Sequence, residues 1–344
     1  MKRVGHLFPD VVSFLSLCDA AGRVLAGRRV KPAYAGLAFR LEPEVIELQR
    51  ELMSRTYRPR PYVTFQITDP KARMISSAHV RDRIVQHSLC AVLEPIFERV
   101  SIFDSYACRN GKGTHKALAR VRDFGRRYGY FLKFDVRHFF ETVDHVVLKG
   151  LIRRVVKDPD ILWLTDLIID AGAPGSATGK GLPIGNLTSQ HFANYYLTCL
   201  DHFIKDDLRM PAYVRYMDDG LMFGDDKAEL QGAFSRVVEF LEDRLKLQIK
   251  DEVTLLAPVS EGISFVGFRV WKRVIRLNSR SRIRFIRGVR RLQSHFDDEL
   301  IDLDDYCRSM ASRIGHLAHC GSMGLRKSVF TPSQGFRDGR VQTG

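Results

Sequence analysis

The chain has 344 residues, of which 45% are hydrophobic and 27% charged. That is enough to bury a sizeable core and too much for one small domain, so two or three subdomains are expected. A formal net charge of +14 at pH 7 calls for a polyanionic partner, most simply nucleic acid; membrane surface is the rival, but no apolar run approaches the length of a spanning helix.

Residues 1–60 read as mostly helical, with Val45, Ile46, Leu48 and Leu52 on one face of a helix over 43–53. The segment Tyr57-Arg58-Pro59-Arg60-Pro61-Tyr62 breaks that helix and leads into an extended run, 63–67, before a turn at Asp69-Pro70-Lys71. Lys71, Arg73, Arg81 and Arg83 then surround two apolar pairs, Met74-Ile75 and Ile84-Val85. Such a set is either a solvated basic face or a cluster of cations for phosphate, which arginine grips through paired hydrogen bonds. Gly111 and Gly113 flank Lys112 without the spacing of a P-loop, and 117–128 reads as a helix bearing Arg120, Arg122, Arg126 and Arg127. Tyr130-Phe131-Leu132-Lys133-Phe134 is a strong strand signal with Asp135 at its end, a position that also suits a helix cap. Helices are predicted over 148–156 and 160–170, then a loop rich in Gly, Ala and Ser over 172–181. Residues 181–190 open a long helix over 191–205, capped by Thr188 or Ser189.

Two apolar runs, Ala212-Tyr213-Val214 and Leu221-Met222-Phe223, bracket Tyr216-Met217-Asp218-Asp219. This predicts a β-hairpin with Asp-Asp at its turn and with Gly220 and Gly224 relaxing the backbone. Adjacent carboxylates repel unless a cation sits between them, and Mg²⁺ takes carboxylate oxygens while sharing its shell with phosphates. A bare Asp-Asp pair is equally the mark of an ordinary polar turn. Asp225 and Asp226 read as the cap of a helix over 227–245, and 263–270 as a strand pair with Gly267 at its middle. From Arg269 to Arg291 there are ten Arg or Lys in 23 residues and no acid, unlike the mixed signs of a solvated helix. Residues 297–305 then carry six acids and read as a turn, 309–330 as a helix pair, and 331–344 as a flexible tail. The six cysteines form no Cys-x-x-Cys pair and read as reduced thiols of a cytosolic protein. His316, His319 and Cys320 lack the paired spacing of a zinc site.

Tyr-Met-Asp-Asp between strands resembles the catalytic motif of reverse transcriptases, and the resemblance extends over roughly 55–275. It implies an α+β right-hand fold: a helical region and fingers over 1–130, with further fingers elements in 150–180, a palm with an antiparallel sheet over 131–275, and a helical thumb over 276–330. Arg137 to His145, following Asp135, resembles the first catalytic motif of the palm, which makes Asp135, Asp218 and Asp219 the catalytic carboxylates. With the Val136 carbonyl they would hold two Mg²⁺, Mn²⁺ being the substitute ion. Lys71 and Arg73 resemble the fingers residues that contact the incoming triphosphate. Gly185, Gln190 and Lys250 fall at further dNTP-binding positions, though Lys250 also reads as a solvated lysine. Phe140 stands where a bulky aromatic rejects the 2′-hydroxyl of ribonucleotides, or else it is core, as Phe139 is expected to be. The block from Asp104 to His115 resembles the second conserved block, which turns Arg109 and Lys112 towards template and primer. Ile184, Tyr216 and Met217, the primer-grip residues Phe265 and Gly267, and Arg282, Arg284 and Arg287 of the thumb complete the template–primer surface that the resemblance implies.

Leu-Pro-Ile-Gly-Asn-Leu-Thr-Ser-Gln, residues 182–190, narrows the resemblance. Most reverse transcriptases have Pro-Gln-Gly here and end the motif in Ser-Pro. This version looks like the reverse transcriptases of diversity-generating retroelements. It implies a template RNA copied into cDNA with frequent errors opposite adenines, and a small basic accessory protein that forms an oligomer. The setting would be the cytoplasm of a bacterial, phage-infected or archaeal cell. Ile184 offers neither the donor nor the acceptor of a Gln at that place, which loosens base selection. Rival readings are a retron or phage-defence reverse transcriptase and, further off, a catalytically inactive RNA-binding protein.

Overall fold

A computed structural model describes residues 2–28, 31–68 and 72–330. Lys71 and the predicted tail lie outside the described residues. The chain opens with α1 (Phe8–Val12), α2 (Phe14–Leu25), α3 (Pro32–Phe39) and α4 (Leu41–Met53). Val45, Leu48 and Leu52 of α4 are fully buried, as their spacing predicts. A hairpin follows, β1 (Val63–Ile67) paired antiparallel with β2 (Arg73–Ser77). Next comes the long helix α5 (Val80–Val100), whose Ile84, Val85, Leu89, Leu93 and Ile96 enter the main core. Two of the four predicted cations in this stretch are structural. Arg81 is buried and pairs with Glu51 at 2.8 Å, while Arg83 donates to the Ala78 carbonyl and the Tyr34 hydroxyl.

After α6 (Thr114–Arg127) come β3 (Tyr130–Asp135), α7 (Phe139–Thr142), α8 (His145–Arg153) and α9 (Pro159–Asp170). Then follow α10 (Leu187–Tyr196), α11 (Thr198–His202), β4 (Tyr213–Tyr216), β5 (Asp219–Gly224), α12 (Lys227–Leu245) and β6 (Leu255–Pro258). The four strands form one antiparallel sheet in the order β4-β5-β3-β6. Its residues alternate between two cores, as the period of two in a strand requires. Leu132, Phe134, Tyr213 and Met222 face the main core, and Phe131, Val214, Leu221 and Phe223 face a second core shared with α6. A small sheet, β7 (Ile263–Phe265), β8 (Phe268–Val270) and β9 (Ile275–Leu277), covers that second side. Three helices close the described chain, α13 (Ser279–Asp297), α14 (Leu303–Leu317) and α15 (Met323–Phe330), around Phe285, Val289, Met310 and Leu317. No helix among the described residues is long and apolar enough to cross a membrane, and all six cysteines are free thiols.

Three local expectations are corrected. The predicted helix over 191–205 begins earlier, at Leu187, and is broken after Tyr196. There the Thr198 hydroxyl and the Cys199 thiol bond back to the carbonyls of Asn194 and Tyr196, which bends a helix. Its cap position is Asn186, not Thr188 or Ser189, and the Asn186 side chain is used elsewhere: it bonds the Ala78 amide and the Ser76 carbonyl of the β2 end. In the β4–β5 hairpin, Tyr216 pairs with Asp219, so the turn is Met217-Asp218 and Asp219 already belongs to the strand. Gly220 and Gly224 are therefore strand residues with ordinary φ. Gly220 is small because its strand lies against the Phe134 ring, where a Cβ would stand 2.3 Å from Cζ.

Candidate active site

The carboxylates are assembled by the sheet. β3 and β5 pair so that Asp135 lies opposite Asp219, and the two-residue turn sets Asp218 beside them. Asp135 is no helix cap, since α7 starts four residues on, at Phe139, with His138 at its cap position. Alternation along β3 puts Lys133 on the same face as Asp135, and its ammonium lies 3.1 Å from Asp219 Oδ1. That oxygen is buried and makes no hydrogen bond, so the lysine supplies charge without hydrogen-bond geometry. The reading of the sequence passed over Lys133; its place two residues before Asp135 in a strand was the signal for it.

Burial and the neighbouring acids disfavour the charge of Asp218. The Asp218 carboxyl is pushed up to about 7, first by burial, then by the negative charge of Asp135 and, to a lesser degree, of Asp219. Its own backbone amide and the Arg73 guanidinium pull the other way. A carboxyl raised in this way costs stability once it ionises. The cost is absent below the unfolded value of 3.8, grows as pH rises towards 7 and is complete above it. With divalent ions chelated, Asp218→Asn is therefore expected to raise stability at pH 8 by about 1–2 kcal/mol, a figure reduced for the partial exposure of the group. The gain should vanish towards pH 4. Thermal melts of both proteins at the two pH values check this, and an equal difference at both would contradict it.

Backbone contacts bring further predicted residues to this place. The Lys250 amide donates to the Asp135 carbonyl at 2.9 Å and the Arg137 amide to Gln248 at 2.8 Å. Strand geometry then turns the Val136 carbonyl to the opposite edge, towards β5. The Ile184 carbonyl accepts from the Ser76 amide at 2.8 Å, fixing the 182–190 loop to β2, the strand that carries Arg73. Gly185, at φ +112, sits so close to Ile75 that a Cβ would lie 2.8 Å from Cγ2. Gln190 is exposed, with its Oε1 3.6 Å from the Cys108 thiol. Phe139 is buried, whereas Phe140 is only half-buried and meets it edge-on at 5.6 Å. The Tyr216 hydroxyl bonds Thr114 at 3.1 Å, and Met217 holds a left-handed φ of +55°.

Other predicted contact residues are engaged within the fold. Arg109 does not reach outwards: its guanidinium pairs with Glu98 at 2.6 Å and donates to the carbonyls of Ile102 and Ser105, so it holds its own loop. Lys112 donates to the Phe103 carbonyl and stands 3.4 Å above that ring. Phe265 is 1% exposed and packs edge-on against Tyr216, so its side chain supports the hairpin and has no surface to offer a primer. Gly267 falls in the β7–β8 turn at φ +88, as a glycine there should. Arg282, Arg284 and Arg287 are exposed on α13, the last two lining a cleft of about 560 Å³ with Arg280, Arg291 and Arg313. His316 and His319 gather around His115 of α6, the His115–His319 ring centroids being 3.9 Å apart. Among the described residues no three His, Cys, Asp or Glu side chains close around a single ion position.

Residues 68–270, more than half of the chain, match the family described as reverse transcriptase (RNA-dependent DNA polymerase). The chain belongs to the reverse transcriptase family. Protein YkfC of Escherichia coli (strain K12) is 27% identical over 278 residues, 68% of this chain and 73% of YkfC. The group II intron-encoded protein LtrA of Lactococcus lactis is 24% identical over 299 residues, 67% of this chain. That match spans only 50% of LtrA, so the chain covers about half the length of that relative. A structure of telomerase from Candida albicans, in complex with a fragment of telomeric RNA, superposes with a TM-score of 0.49 at 13% identity. It covers 78% of this chain and 58% of the telomerase chain, a likeness too weak to add to the assignment. The fold is the right hand of this family, built of helices and antiparallel sheets.

Proposed function

We propose that the chain is an RNA-directed DNA polymerase that copies a template RNA into cDNA, with frequent errors at template adenines, within a diversity-generating retroelement. The observation that carries the polymerase reading is the convergence of Asp135, Asp218 and Asp219 at the end of the palm sheet. A binding protein needs basic and aromatic residues, but not three acids set side by side at the end of a sheet. Oxygen donors, one of them the buried Asp219 Oδ1 without a hydrogen bond, suit Mg²⁺; Asp135, Asp218, Asp219 and the Val136 carbonyl would hold it once the three side chains turn to one point, which they do not share in the structure described. Two such ions would supply activation of the primer hydroxyl and neutralisation of the pyrophosphate. Arg73, whose charge acts on Asp218, and Lys250, whose amide bonds the Asp135 carbonyl, are the cations this reading gives to the triphosphate, and the half-buried Phe140 ring is its barrier to ribonucleotides. The exposed arginines of α13 supply salt-sensitive affinity for the template–primer backbone.

The retroelement reading rests on the 182–190 loop, whose Ile184 is half-buried and fixed through its carbonyl to β2. An apolar side chain there makes no polar anchor for the nascent pair. The partners on this reading are a template RNA, a primer, dNTPs and a small basic oligomeric accessory protein, and the setting is cytosolic. Ile184→Gln is expected to lower misincorporation opposite adenine by about tenfold, the equivalent of one hydrogen bond, on sequenced primer-extension products. Unchanged adenine errors would contradict the role of Ile184, and accurate copying by the unaltered chain would favour a retron or defence enzyme.

A further inference from the structure

Arg215, one residue before Tyr-Met-Asp-Asp, is 1% exposed at the centre of the palm. Alternation along β4 turns it, like Tyr213, into the main core. Every one of its five donors is used. Nε and Nη2 grip the two oxygens of the fully buried Asp201, each at 2.6 Å. Nη2 also donates to the Asn194 carbonyl at 3.2 Å, and Nη1 to Asn194 Oδ1 at 2.8 Å. The remaining Nη1 hydrogen goes to the Met217 carbonyl at 2.9 Å.

That last bond reaches the turn of the hairpin. The Met217 carbonyl belongs to the peptide unit whose N–H is the Asp218 amide, so the bond fixes the backbone directly before the Asp218 side chain. One rigid peptide plane is thus held from inside by a buried guanidinium and leads directly into the candidate metal ligand. The plane needs holding. Met217 sits at φ +55, a conformation that costs a non-glycine residue energy and persists only when the surroundings determine it. Asn194 and Asp201 come from α10 and α11, the helices that follow the 182–190 loop, so the anchor is rigid.

We propose that Arg215 is a positioning residue: by locking the Met217–Asp218 peptide plane it sets the direction in which Asp218 presents its carboxylate to a divalent ion beside Asp135 and Asp219. The inference deepens the polymerase reading and rests on it for the identity of the ion. Outer groups of this kind typically change metal affinity 10–100-fold when removed. A role confined to stability would change melting alone.

The test uses Mn²⁺ as a paramagnetic probe, with its affinity for the full chain read from the spin resonance of the free ion. Primer extension on an RNA template is measured beside it. Arg215→Lys keeps the charge that Asp201 requires and loses the fork that reaches Met217. Tyr213→Phe removes another hydrogen bond to Asp201, made at 3.1 Å, without touching the turn. The expected result is at least tenfold weaker Mn²⁺ binding in Arg215→Lys, a kcat lowered at least tenfold with the dNTP KM within threefold, and neither change in Tyr213→Phe. Equal Mn²⁺ affinity in folded Arg215→Lys and the unaltered chain overturns the inference, as does an equal loss in both variants. If Arg215→Lys does not fold, the double variant Arg215→Met with Asp201→Asn removes both buried charges together and is read in the same way. Failure of both to fold assigns the arginine to stability and overturns the positioning role. An unaltered chain that binds Mn²⁺ but extends no primer overturns the polymerase reading instead, while the Mn²⁺ affinities still decide the role of Arg215.

Discussion

Asp218→Ala and, separately, Asp135→Ala are expected to lower primer extension at least ~10³-fold while leaving template–primer affinity within about threefold. The split follows from where the charges lie. Affinity for the nucleic-acid backbone comes from the arginines of α13, which are far along the chain from the hairpin. The chemistry depends on oxygen donors at one point, and removing one leaves the remaining pair unable to hold the ions as a set. For Asp218 the loss is not one of unfolding, because burial and the like charges beside it disfavour its carboxylate and removing it relieves the fold. Asp226→Ala is the informative comparator. It lies in the same acidic neighbourhood of the sequence, but its carboxylate caps α12 by accepting from the Ala228 amide at 2.7 Å. That variant should cost about 1 kcal/mol of stability and none of the catalytic rate. Pre-steady-state extension and fluorescence anisotropy check both statements. Extension within tenfold of normal in Asp218→Ala would contradict the assignment of that acid.

Gly220→Ala is expected to destabilise the four-stranded sheet by about 3 kcal/mol, lowering the melting temperature by roughly 4 °C. The added Cβ would lie 2.3 Å from Phe134 Cζ and 2.7 Å from both Cε atoms, distances no side chain tolerates. The ring cannot step aside. Phe134 is 1% exposed, parallel to Tyr213 with centroids 6.5 Å apart, and 5.9 Å from Phe234. Phe134→Leu opens space at the cost of its own cavity. The double variant should therefore be more stable than the sum of the single changes predicts, by at least about 1 kcal/mol. Chemical unfolding of the four proteins measures this coupling. A Gly220→Ala protein that melts within 2 °C of the parent would show that the strand shifts freely, contrary to the packing described.

The local pattern made much of this architecture legible. The alternation of 130–134, the runs around Asp218 and the acid cap before 227 placed β3, the hairpin and α12, because each is a short-range signal of period, turn or cap. Partners distant in sequence were not legible. Arg109 reads as a cation awaiting phosphate, yet Glu98, eleven residues back on α5, takes its charge. Gly220 reads as a turn residue until β3 brings Phe134 against it, and Phe265 reads as a primer contact until Tyr216 covers it. Nothing along the chain marks Arg215, and only Asp201 and Asn194 make it a core residue. Charge and glycine derive their roles from tertiary neighbours, while apolar periodicity carries its meaning along the chain.

The central claim is tested most directly by primer extension of the full chain on a heteropolymeric RNA template with Mg²⁺ and dNTPs, the products being sequenced. The account predicts DNA products that depend on the RNA template, disappear with Asp218→Ala and carry errors concentrated opposite adenine. No extension, even with the cognate RNA and a basic accessory protein supplied, would contradict it.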